Sequence, residues 1–177
     1  KEVEDLKEEL KKLVEELERL VEKNVREARE LVKRSEEESR RVAETARRLV
    51  DEIRRAGLDE EVVRRLKEVV DDVIRKLKEL DDRLRDVVRK VEEENERLVR
   101  ELRKVVKRVV EELEKTTDRR TITELLKEVE ELVKRVLDAI RKSNREVEKL
   151  VRESLRRIEK LLREVEKLVK ELLERRK

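Results

Sequence analysis

One glycine and no proline occur in 177 residues, so this chain has few means of stopping a helix. Glycine ends helices by taking the left-handed conformation without a Cβ penalty, and proline by withholding an N–H and clashing with the preceding turn. Where both are scarce and Leu, Val, Ile and Ala recur every three or four residues, long amphipathic helices are the outcome. Charged residues make up 57% of the chain and apolar ones 36%, a balance that alone would suit a disordered polypeptide. The helical spacing of the apolar residues overrules that reading and points to long helices packed on one another.

The few breaks are therefore easy to place. At Arg55-Ala56-Gly57-Leu58-Asp59 the glycine takes the position just past a helix end, and Leu58 and Ile53 form the apolar pair of a Schellman motif. Asp59 caps the next helix, followed by Glu60 and Glu61 at its positive end. The second break, Thr116-Thr117-Asp118-Arg119-Arg120-Thr121, lacks apolar periodicity. Thr121-Ile122-Thr123-Glu124 fits a capping box between Thr121 and Glu124, with Asp118 as the rival N-cap.

Three helices are predicted, at about 2–55, 59–115 and 121–175. At 1.5 Å per residue each would run about 80 Å, and a helix so long needs a partner along its face. Equal lengths and short loops predict one domain over 1–177. The expected fold is all-α: an antiparallel, up-down-up three-helix bundle of long, nearly straight helices with coiled-coil-like packing. The stripes include Leu10, Leu17, Leu20, Val25 and Ala28 in helix 1, Leu66, Val73, Leu77, Val87 and Leu102 in helix 2, and Val129, Val136, Ile140, Leu150 and Leu168 in helix 3. Doublets such as Val69-Val70, Val105-Val106 and Leu161-Leu162 widen them to about three positions in seven, a width that suits a multi-helix core.

Uncharged polar residues interrupt these stripes at few places. Asn24, Asn95 and Asn144 fall one to each helix, with Ser143 beside Asn144. Folding about the two breaks pairs helices 1 and 2 where residue numbers sum to about 115, and helices 2 and 3 where they sum to about 237. Asn24, Asn95, Ser143 and Asn144 then share one height, as a buried hydrogen-bonding layer would require; such a layer is a known specifier of helix register. Ser143 is favoured over Asn144 as its member. Ser35 and Ser154 form a second candidate pair facing Asp81, with Ser39 one turn beyond Ser35. Small side chains there would equally serve close helix packing.

Little chemistry remains available. The chain has no His, Cys, Met, Phe, Tyr, Trp or Gln. That removes the near-neutral base, the thiolate nucleophile, the soft metal ligands and the stacking platform for bases. A single glycine cannot build a phosphate loop. No catalytic, cofactor-binding or metal-ligating residue is indicated, and an enzyme is not expected. The net charge is +3 from 52 basic and 49 acidic residues, and the charges read as alternating in sign along every helix rather than forming a basic stripe. No nucleic-acid partner and no cofactor are expected. No apolar run exceeds two residues, so no membrane span is expected either, and no targeting signal is evident. Helix 3 with its flanks is the cationic part, with 19 basic against 14 acidic residues over 116–177.

These residues resemble de novo designed helical bundles along the whole chain: Glu/Lys/Arg surfaces, Leu/Val/Ile/Ala cores, an Ala-Gly-Leu-Asp junction, and isolated Asn and Ser at core heights. The resemblance implies a monomeric structural scaffold without natural activity. The alternative it leaves open is an interaction or switch module, through self-assembly, heterodimer formation or a displaceable helix. Natural three-helix repeats of the spectrin type are similar in layout but typically carry aromatic core residues, which this chain lacks.

Overall fold

A computed structural model describes residues 2–175. Among them are three α-helices, α1 (Glu2–Arg55), α2 (Glu60–Lys115) and α3 (Arg119–Arg175), with no strand. The three helices pack against one another, an all-α three-helix bundle. Ion pairs and hydrogen bonds give the directions. Lys7 meets Glu114 and Glu18 meets Arg103, so α1 and α2 are antiparallel. Arg108 of α2 meets Glu128 of α3 close to their connecting loop, and Asn24 of α1 meets Ser143 of α3.

By its internal contacts the chain falls into two compact units, each taking a part of all three helices. Unit 1 comprises the chain up to Ala28 together with Val88–Glu146; unit 2 comprises Arg29–Val87 and the segment from Val147 onward. The core of unit 1 is built on Leu17, Leu102, Val109, Leu113, Val129 and Val136. That of unit 2 is built on Val42, Ile53, Leu66, Val70, Ile158 and Val165. The apolar side chains of both are all aliphatic. Full burial of such a side chain contributes about 1.5–3 kcal/mol, which is what holds helices of this length together.

The buried positions step by three or four residues. From Leu125 to Leu172 the step averages about 3.6, the period of a straight helix rather than the 3.5 of a strict heptad seam. Several stripe assignments shift by one residue as a result. Val21 is buried where Leu20 was expected, and Leu20 is 39% exposed. Likewise Val88, Val151 and Val169 are buried, while Val87, Leu150 and Leu168 lie at the rim. Within the doublets Val70, Val106 and Leu161 face inward, and Val69, Val105 and Leu162 stay at the edge.

The first turn forms as the glycine requires. Gly57 has φ +73°, and its N–H donates to the Arg54 carbonyl at 3.2 Å. Leu58 packs on the unit 2 core that contains the fully buried Ile53. Asp59 stands at the N-cap of α2, its carbonyl accepting from the Val63 N–H at 3.1 Å. The second turn corrects the expected cap. Asp118 caps α3, not Thr121: its carboxylate accepts from the Arg120 N–H at 3.2 Å and its carbonyl from the Ile122 N–H at 3.1 Å. Thr121 lies inside the helix and donates its hydroxyl to Asp118 at 3.0 Å, and Glu124 faces Arg120 at 3.9 Å instead of closing a capping box. A carboxylate is the better acceptor here because Arg119 and Arg120 place two cations at the positive end of the helix dipole.

Candidate functional site

The side chains that depart from the aliphatic core are the chain's distinctive feature. Among the described residues six polar ones are buried: Asn24, Asn95 and Ser143 in unit 1, and Ser35, Ser39 and Ser154 in unit 2. Asn144 is half-buried, so Ser143 is the inward member of that pair, as the stripe pattern indicated.

In unit 1, Asn24 Nδ2 donates to Ser143 Oγ at 3.0 Å, and the Ser143 hydroxyl donates in turn to the Ile140 carbonyl at 2.9 Å. The serine thus receives one hydrogen bond and gives one. The amides are less well served: Asn24 Oδ1 and Asn95 Nδ2 are buried without a partner. One is an acceptor and the other a donor, and each such group costs about 1–3 kcal/mol while it stays unpaired.

The register explains why these residues come to similar heights. Contacts between α1 and α2 fall where residue numbers sum to 121, as for Lys7 with Glu114 and Glu18 with Arg103. The expected value was about 115. Helical side chains lean toward the N-terminus of their own helix, so touching pairs on antiparallel helices carry higher numbers than pairs whose Cα atoms are level. That lean contributes about two residues of the difference. Asn24 and Asn95 lie within two residues of the observed pairing. The Arg108–Glu128 pair sums to 236, beside the expected 237 for α2 and α3.

In unit 2 the expected Ser35–Ser154 pair does not form as a hydrogen bond. Ser35 is fully buried and its Oγ has no partner, while Ser39 Oγ donates to Asp81 Oδ1 at 3.1 Å. One turn along α1 decides the outcome, because Ser39 rather than Ser35 is level with the carboxylate on α2. Burial raises the Asp81 carboxyl above its ordinary range. The Ser39 hydrogen bond opposes that shift, Glu36 and Asp82 add to it, and Arg85 opposes it. Glu36 is itself held by Arg85 at 2.6 Å. Sequence reasoning placed Asp81 near the serines but had no means of singling out its contact with Ser39.

The ion pairs that join helices within a unit shift pKa values in the usual directions. The Arg103 hydrogen bond at 2.6 Å lowers the Glu18 carboxyl, and the Glu114 hydrogen bond raises Lys7. Among the described residues no group of three or more His, Cys, Asp or Glu side chains could hold a metal ion. Among the described residues no helix is long and apolar enough to cross a membrane. Two grooves of unit 1 run between α1 and α2, one past Glu18, Val21 and Arg103, the other past Val14, Val106 and Val110. Neither is lined by Asn24, Asn95 or Ser143. No protein-family model, curated protein or solved structure matches the chain.

Proposed function

We propose that this chain is a designed structural scaffold without catalytic activity, in which a hydrogen-bonded polar layer at core height sets which helix faces which and in what register. The observation that carries this reading is the run from Asn24 through Ser143 to the Ile140 carbonyl. In a core otherwise made of aliphatic side chains, the polar exceptions on α1 and α3 are directed at each other. An apolar pair at that height would accept several registers, whereas the Asn24–Ser143 hydrogen bond forms in one. The distribution of apolar surface supports a chain that needs no partner: the exposed large apolar side chains, Leu20, Val69 and Leu173, are between 38% and 40% exposed and belong to different helices.

A second reading, a switch or interaction module, is favoured by the three buried polar atoms left unpaired, Asn24 Oδ1, Ser35 Oγ and Asn95 Nδ2. They destabilise this packing relative to any arrangement that pairs or solvates them. Light scattering coupled to size exclusion, over a concentration series, separates the two. The scaffold reading predicts a constant mass of 21.5 kDa. A concentration-dependent multiple of that mass overturns it in favour of assembly.

A further inference from the structure

Burial separates the faces of α3, and its outward face corrects the expectation of alternating charge. In unit 2 the inward face carries Val147, Val151, Ile158, Leu161 and Val165. On the opposite side Lys149, Arg152, Arg156, Lys160, Arg163 and Lys167 are all exposed. At about 100° per residue these six fall within an arc of about 80°, along about 27 Å of helix. No carboxylate lies inside that arc between Lys149 and Lys167; Glu153 and Glu159 stand just outside its edges. The outward face of α1 in the same unit is different, because Lys33, Glu37, Arg41, Glu44, Arg48 and Asp51 alternate in sign. A residue-by-residue reading of α3 passes through the flanking glutamates and so misses the ridge.

Most of these cations have no fixed anion. Arg163 meets Glu159 only at 3.8 Å, and the Arg152 Nε donates to the Glu148 carbonyl at 3.5 Å. We propose that this ridge is a docking surface for the phosphate backbone of double-stranded DNA, engaged without regard to sequence. Charge complementarity carries the assignment. A duplex bears one charge per about 1.7 Å of axis and releases condensed counterions when cations line up along it. An acidic helix offers sparser, hydrated carboxylates, and exposed pairs of that kind contribute about 0–1 kcal/mol each. The chain has no aromatic residue on which the bases of a single strand could stack, which favours a duplex, and a row of flexible cations along one helix face matches the run of phosphates.

The test is fluorescence anisotropy of a labelled duplex of about 20 base pairs, titrated with the full chain from about 20 to 200 mM salt. Contact with about four phosphates predicts that log K falls against log salt with a slope of about −3.6. The combined change Arg152→Gln, Arg156→Gln, Lys160→Gln and Arg163→Gln should reduce that slope by at least half and weaken low-salt binding about tenfold or more. A control with the same net charge, Lys12→Gln, Arg19→Gln, Lys33→Gln and Arg48→Gln on α1, should stay within about twofold of the parent, with circular dichroism showing both variants folded. Three results would overturn the proposal: no binding at the lowest salt, equal losses in the two variants, or binding to phosphatidylserine vesicles but not to the duplex.

Discussion

Asn24 and Ser143, 119 residues apart in sequence, meet through a 3.0 Å hydrogen bond from Nδ2 to Oγ in the core of unit 1. The bond is asymmetric in what each partner has left. Ser143 keeps its donation to Ile140 when the amide is removed, whereas Asn24 has no other partner when the hydroxyl is removed. Ser143→Ala should therefore cost about 1–3 kcal/mol, since it leaves a buried amide wholly unpaired. Asn24→Leu should fall within about 1 kcal/mol of the parent, because the orphaned Oδ1 goes with the lost bond. Urea denaturation of the two variants checks the order.

Asn95 is 2% exposed and its Nδ2 has no partner. Asn95→Leu should raise stability by about 1–3 kcal/mol, by removing a desolvated donor and adding apolar contact in a site of similar volume. A loss of that size would mean that the Asn95 amide is satisfied in solution.

Much of this architecture was legible in the sequence because the chain offers so few alternatives. Gly57 marks the first turn, and the apolar steps mark three helices that pack their stripes against one another. The inward positions of Asn24, Asn95 and Ser143 followed from the same stripes. Other details were read differently, the one-residue stripe shift from Leu20 to Val21 among them. The choice between Asp118 and Thr121 as cap depends on the geometry of a few backbone N–H groups, and both residues suit the position. The pairing of Ser39 rather than Ser35 with Asp81 depends on an axial offset of one turn, which periodicity does not encode. The cationic ridge of α3 is hidden when signs are read in chain order and emerges when the helix is projected at about 100° per residue.

Asp81 and Glu18 should respond to acid with opposite signs. Burial raises the Asp81 carboxyl, so folding favours its protonated form, and its cost is present at neutral pH and fades as pH falls toward the ordinary value of 3.8. Asp81→Asn should accordingly be more stable than the parent at neutral pH, with the gap closing on acidification. The Arg103 hydrogen bond lowers Glu18, so its contribution is present above 4.5 and is lost as pH falls through the folded value. Glu18→Gln should be less stable at neutral pH, and that gap should also close in acid. Denaturation midpoints measured from about pH 7 down to about pH 3 resolve the two trends.

Gly57 tests the turn. Its φ of +73° suits glycine, yet a Cβ built there meets nothing within 4 Å. Gly57→Ala should cost about 1–2 kcal/mol from backbone conformation alone, and Gly57→Asn less, because asparagine tolerates the left-handed region. A larger loss in thermal or chemical denaturation would point to a steric role that the turn does not have.

The central claim is that the polar side chains fix register, and the absence of cysteine allows a direct measurement. Spin labels introduced at Lys12→Cys and Lys134→Cys, both exposed and both in unit 1, report the distance between α1 and α3 by pulsed electron resonance. The account predicts one narrow distance in the parent chain and a broadened or split distribution once Asn24→Leu, Asn95→Leu and Ser143→Ala are combined. An unchanged single distance in the combined variant would contradict it, and would assign the register to aliphatic packing and loop length alone.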